Sequence, residues 1–376
     1  MISGRLIEPR PTRLARLFPW TRLLRGPSIA LDSRKLILAA VGLVLLWLGW
    51  MTLDRVFSTD DPLAARIAPA ELASEYMTTS RFSINLVAEP FFLLIAPFAR
   101  VFRLGQGPVA FAHSVLAAVW TILVWGIVGG AIARIAAIQA ATGERLGLVP
   151  AVRFAFRHWL ALVGAPLSPM IGIGFFAALC APLGLLYNIR GPIGATVAGV
   201  LAFLPLIAGL VMALLLAGLA VGWPLMTADV AVEAEDGFDA LSRSYSYVSQ
   251  RPGRYALYVV VCAIAGAIGL VVVGLLAALT VHMARWGLAF GGPDGRIEAL
   301  FAGDRAAGET PAAIHAFWVF LIRLLAHGWV YSYFFTASTL IFTLLRREVD
   351  GAPYHDLGGL DEPDEPFAPD LKEAEL

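Results

Sequence analysis

Histidines are the first residues to ask for chemistry. The chain has six, at positions 113, 158, 282, 315, 327 and 355. A zinc hydrolase site places two of them four apart on one helix face, and a structural zinc site needs close Cys or His pairs. None of the six has such a neighbour. The two cysteines, Cys180 and Cys262, sit inside long apolar runs, where a thiol behaves as a small hydrophobe. There is no Walker loop, no GxSxG and no pair of catalytic carboxylates. Gly172-Ile-Gly174-Phe-Phe-Ala177 matches a loose GxGxxA, but no strand precedes it, so it cannot be a dinucleotide turn. Carboxylates are nearly absent from the apolar runs, whereas an ion-coupled carrier usually needs one at mid-depth. The expectation is no catalytic residue, no metal and no cofactor.

Arginines are the remaining groups with a chemical use. Arg153 and Arg157 lie in one polar connector, and Arg243, Arg251 and Arg254 in another. A guanidinium near an anionic bilayer surface gains roughly 1 kcal/mol from lipid phosphates. These five are the candidate lipid or partner contacts, and the alternative is that their connectors only join two spans. A second group, His282, Arg323 and His327, brackets the outward ends of two apolar segments and forms a candidate outer-interface polar cluster. Arg323 depends on where its helix begins. From about Ala326 it snorkels at the interface, and from about Ile314 it is an intramembrane charge.

The elements that must carry these groups follow from composition. Of 376 residues 59% are apolar and 15% charged, with a mean hydropathy of +0.74. A soluble domain is about a quarter charged. Too little polar surface is left to face water, which excludes a soluble enzyme, a disordered chain and a disulfide scaffold. Lys+Arg and Asp+Glu balance at 28 each, and nothing points to nucleic acid. The fold class is an all-α membrane protein. Six runs reach the roughly 20 residues a crossing needs: 36–53, 109–133, 159–186, 198–226, 255–283 and 326–345. The run 193–226 is long enough to be two helices, split near Pro205. Residues 89–102 are too short to span and read as an interfacial helix. Pro311 to Leu325 is either an extension of the sixth span or another interfacial piece.

Sidedness comes from the basic residues. Residues 1–35 carry eight bases against two acids, and a basic segment of this kind stays in the cytoplasm. The connectors after spans two and four, and Arg346-Arg347 after span six, are also basic. The expected site is the inner membrane of a bacterium with both termini cytoplasmic. Residues 349–376 read as an acidic, disordered cytoplasmic tail.

Two units share one layout. Arg157 precedes Pro166 by nine residues, as Arg243 precedes Pro252, and an aromatic follows each Arg two positions on. Glycines four apart, Gly126/Gly130 and Gly218/Gly222, mark the preceding span in each and suit close helix packing. Phe238, Leu241, Tyr245 and Val248 form one stripe; Leu148, Val152, Phe156 and Trp159 form another. Helix, amphipathic elbow, helix thus occurs twice as a parallel repeat, each elbow expected on the inner leaflet.

The stretch 222–255, GWPLMTADVAVEAEDGFDALSRSYSYVSQRPGRY, and the later SYFFTASTLIFTLLRREVDG resemble a family of polytopic membrane proteins of planctomycete-type bacteria. In layout the chain is more distantly similar to the membrane domains attached to some glycerophosphodiester phosphodiesterases. It lacks the phosphodiesterase part, so the resemblance implies an architecture and no activity. The leading expectation is a non-enzymatic accessory or scaffold subunit of a membrane assembly, with membrane lipids and a protein partner or oligomer as its contacts. The alternative is a permease for a lipid or small solute, with a site between the repeated helix pairs. A lipid enzyme using Arg323, His282 and His327 comes third.

Overall fold

A computed structural model describes residues 19–58, 61–67, 85–189, 192–292, 295, 297, 309–353 and 356–358. Among them every regular element is helical. A 3-10 turn, Pro19–Arg25, leads into the short α1 (Gly26–Ala30). Asp32 then caps α2 (Ser33–Phe57), its carboxylate accepting from the Arg34 N–H at 3.0 Å. Next come α3 (Asn85–Val101), α4 (Pro108–Thr142), α5 (Leu148–Arg157) and α6 (Trp159–Leu185). They are followed by α7 (Pro192–Val200), α8 (Phe203–Glu233), α9 (Gly237–Gln250), α10 (Pro252–Ala289) and α11 (Glu309–Val349). Six of these, α2, α4, α6, α8, α10 and α11, are long and apolar enough to cross a membrane.

Local chemistry sets where several helices stop. The run after Gly130, AIARIAAIQAAT, is rich in good helix formers, so α4 continues past residue 133 until Gly143 takes a left-handed turn. Arg134 is therefore inside a helix and not in a connector. Likewise α8 does not end at Met226 but runs to Glu233, and Asp236 caps α9 by accepting from Phe238 and Asp239 N–H. The run 193–226 is two helices. The break falls at residues 201–202, which leaves Pro205 in the first turn of α8, where its missing N–H costs nothing. Pro311 to Leu325 is the beginning of α11.

The core is built by α2, α4, α8 and α11, with α11 touching α2, α4, α8 and α10. The elbows α5 and α9 lie at one end of this bundle, called here the elbow end. Residues 89–102, expected as an interfacial helix, pack one face on the bundle. Leu93 and Leu94 are buried, Phe91 stacks on Trp223 of α8 at 6.5 Å, and α3 also meets α4, α10 and α11. Arg100, in the last turn of α3, pairs with Asp61 at 3.0 Å.

Both expected tails are partly folded. Residues 1–18 and 359–376 lie outside the described residues. Residues 19–30, assigned to the basic tail, pack on α10 and α11: Leu23 and Ala30 are fully buried, and Ser332 donates to the Ala30 carbonyl at 2.8 Å. The start of the acidic tail is also docked, as described next.

Candidate functional site

Asp229 and Glu233 stand four apart on the last turns of α8, and so share a face. Arg243, on α9, reaches back to that face. Its guanidinium lies 3.2 Å from Asp229, 3.6 Å from Glu233 and 2.6 Å from Glu235. Gly237 makes this fold-back feasible: a Cβ there would meet the Ala161 carbonyl and the Ala165 nitrogen of α6 at 2.9 Å. From α11, Arg346 pairs with Glu233 and donates to the carbonyl of Asp356 at 2.7 Å and its carboxylate at 3.2 Å. From α4, Arg134 donates to the Ala231 carbonyl at 2.9 Å and the Gly358 carbonyl at 2.8 Å, with Phe154 stacked on its guanidinium.

The first residues after α11 close the cluster. Tyr247 donates to Asp350, and the Gly358 N–H donates to the Val232 carbonyl at 2.8 Å. Asp229 is 0% exposed and Arg134 3%. Charges this deep survive only when paired. Burial opposes the Arg243 charge, but Asp229, Glu235 and Glu233 outweigh it and hold its pKa above the ordinary value. Burial, and then the bond to Asp350, push the Tyr247 phenol well above its usual range. The cluster locks four helix ends to one strap of chain; its cations already have fixed partners.

A second feature lies just above it. An apolar cleft is walled by Leu94, Ile95 and Phe98 of α3, by Thr121, Trp125 and Gly126 of α4, by Leu162 and Pro166 of α6, and by Leu216, Leu219, Ala220, Trp223 and Thr227 of α8. Trp125 stacks on Tyr331 and Phe335 of α11 at 4.8 and 5.6 Å, and Trp223 is sandwiched between Phe91 and Phe334. Both indole Nε1–H groups are buried, and neither has an acceptor among the described residues.

The residues singled out from sequence scatter. Arg153, Arg157, Arg251 and Arg254 are exposed at the elbow end, Arg254 lying 3.9 Å from Glu348. Arg243 is instead held by carboxylates of its own chain. The buried face of α9 is Ala240, Ser244 and Tyr247, while Phe238 of the expected stripe is exposed. The buried face of the helix meets protein, and its arginine is the hub of an ion-pair cluster within the molecule. His282, Arg323 and His327 form no joint cluster. Trp329 packs against Gly269, thirteen residues before the exposed His282, a separation of about 20 Å along α10. His327 is fully buried against Tyr331, and Arg323 is 8% exposed, fourteen residues inside α11. Gly126 and Gly130 face Leu162 and Val163 of α6, whereas Gly218 and Gly222 face the ring of Tyr245.

Sequence reasoning passed over Asp229, Glu233, Arg134 and the pair Asp54–His113, which bond at 2.9 Å at the end opposite the elbows. The signal for the first two was the i, i+4 carboxylate spacing ahead of Asp236. Among the described residues no group of His, Cys, Asp and Glu is arranged to hold a metal ion. No family model, no curated protein and no solved structure matches the chain.

Proposed function

We propose that the chain is a non-enzymatic inner-membrane protein that serves as an accessory or scaffold subunit of a membrane assembly. The observation that carries this reading is the unused apolar surface of α6 and α8. Only 6% of the apolar window of each is buried within the molecule. Ile171, Phe175 and Leu179 point outward from α6, and Leu206, Ile207 and Leu210 from α8. Gly174, Gly184 and Gly209 have open space where a Cβ would sit. Faces of this kind, large apolar side chains beside small residues, suit a second membrane helix as well as lipid. The basic residues gathered at the elbow end support a cytoplasmic placement of that end and of both termini. The order helix, elbow, helix in α4–α6 and again in α8–α10 supports the parallel repeat.

The experiment is site-specific photo-crosslinking in cells from a probe at Phe175. A discrete protein adduct, absent when the probe is moved to buried Ile132, supports a subunit role. Adducts to lipid alone overturn it. The permease reading has one observation in its favour, the cleft between α4, α6 and α8. Its apolar walls suit a lipid and not a polar solute.

A further inference from the structure

We propose that the outer face of α5 is a docking surface for the anionic phospholipids of the leaflet at the elbow end. Phe156 inserts at the boundary between headgroups and acyl chains, and Arg153 and Arg157 hold lipid phosphates.

The two sides of α5 differ. The inner side holds the helix to the molecule: Ala151 and Ala155 are fully buried, and Phe154 stacks on the Arg134 guanidinium of α4 at 4.4 Å. The outer side carries Val149, Arg153, Phe156 and Arg157, all exposed. Val149, Arg153 and Phe156 fall at i, i+4 and i+7 and so share one stripe, with Arg157 beside it, one turn from Arg153. Two arginines one turn apart repel each other unless an anion lies between them. The chain has no acid from Glu144 to Asp229 that could supply a carboxylate locally. Apolar side chains bordering basic ones on an exposed face are the make-up of a helix that lies on an anionic lipid surface. The planar guanidinium also matches phosphate oxygens in pairs. The second elbow shows the contrast. The exposed residues of α9 are Phe238, Asp239, Ser242, Ser249 and Gln250, with an acid and no base among them. Only α5 has the charge for an anionic leaflet.

Continuity with α6 sets the height of this face. The 27 residues of α6 are about 40 Å long, which matches a bilayer counted with its headgroup layers, about 40–45 Å. Its first residue is Trp159, and only His158 separates it from Arg157. Trp159 and Leu160 are 43% and 68% exposed at the start of the span, where interfacial anchors concentrate. The Arg157 end of α5 therefore enters the headgroup layer, and the 57% of Phe156 left open by the protein meets lipid there. Further positive charge stands at the same corner. Arg34 of α2 donates to the carbonyls of Arg145 and Leu146, just ahead of α5, at 2.9 and 2.7 Å. This surface is independent of whether the chain is a scaffold, since it needs no second protein.

The test uses the full chain, with Cys180 and Cys262 replaced by serine and a bimane fluorophore attached through Phe156→Cys. It is reconstituted into vesicles of equal parts phosphatidylcholine and phosphatidylglycerol, in which the acyl chains of one lipid or the other are brominated and quench on contact. Both lipids are expected to quench, and brominated phosphatidylglycerol more strongly. Arg153→Gln and Arg157→Gln should each lower that preference about fivefold, the factor equivalent to roughly 1 kcal/mol for one basic residue at an anionic surface. Concentrated salt should shrink it. Absence of quenching by either lipid overturns the proposal, and is the result expected if the face meets water or awaits a protein partner. Equal quenching by the two lipids overturns it as well, since the contact is then apolar alone. Both results are read from the one labelled protein, so they decide the matter even where an arginine variant does not fold.

Discussion

Arg134 of α4 donates to the carbonyl of Gly358, 224 residues further along the chain, at 2.8 Å. This one bond ties a membrane-spanning helix to a segment that composition alone assigns to a disordered tail. The other bonds of the strap, from Tyr247 to Asp350 and from Arg346 to Asp356, belong to the same lock.

Cutting the chain after Val349 should therefore be costly. It leaves the second guanidinium nitrogen of Arg134 without its acceptor and takes Asp356 from Arg346. An unsatisfied buried donor costs about 1–3 kcal/mol. Removing only 359–376 keeps every one of these contacts. Thermal unfolding in detergent should show a lower midpoint for the first truncation and an unchanged one for the second; equal midpoints would show that the strap is ornamental.

Removing Arg243 strands Asp229. Breaking a buried ion pair costs about 3–5 kcal/mol, and the lower end applies because a quarter of the Arg243 side chain reaches solvent. Arg243→Ala should lower the midpoint, and adding Asp229→Asn should restore much of the loss by removing the uncompensated charge. If the double variant is no more stable than the single one, charge compensation is not what holds α9 in place.

The glycine pairs should respond unequally. A Cβ at Gly218 would lie 2.5 Å from the Tyr245 ring, and one at Gly222 3.2 Å from it. Gly218→Ala should cost about 1–3 kcal/mol as an overpacking change, and Gly222→Ala less. Tyr245→Ala should relieve the first, because the ring is the obstacle. Relief is read as a recovered melting midpoint in the Gly218→Ala/Tyr245→Ala protein; its absence would place the strain elsewhere.

Tyr247 supplies a pH dependence. Burial, and then its bond to Asp350, raise its folded pKa above the unfolded value of about 10. The folded state then holds a proton that the unfolded state releases, so the stabilisation is full below about pH 10 and declines above it. Between pH 9 and 11 wild type should lose more stability than Tyr247→Phe. Parallel curves for the two proteins would remove the phenol from the account.

Sidedness can be read at the elbow end. Arg153 is exposed on α5. A cysteine there, in a background with Cys180 and Cys262 replaced by serine, should react with a membrane-impermeant maleimide in inverted vesicles and not in intact cells. Ser244 is fully buried and would give a false negative at this same end.

The sequence alone determined that the chain carries six helices long and apolar enough to cross a membrane, because hydropathy is a sum over consecutive residues and needs no knowledge of neighbours. It also determined that elbows of mixed polarity follow the second and fourth spans, since helical periodicity is local. Only the tertiary structure decided what those elbows touch. The stripe on α9 has the same period whether it meets lipid or protein, so Arg243 read as a lipid contact until α8 and α11 brought carboxylates to it. The same holds for α3, whose length and apolarity say nothing of its contact with Trp223. Asp229, Arg346 and Arg134 lie about a hundred residues apart or more, and the two indoles of the cleft nearly as far. A constellation at that separation leaves no trace in spacing, because its geometry exists only once the helices have packed.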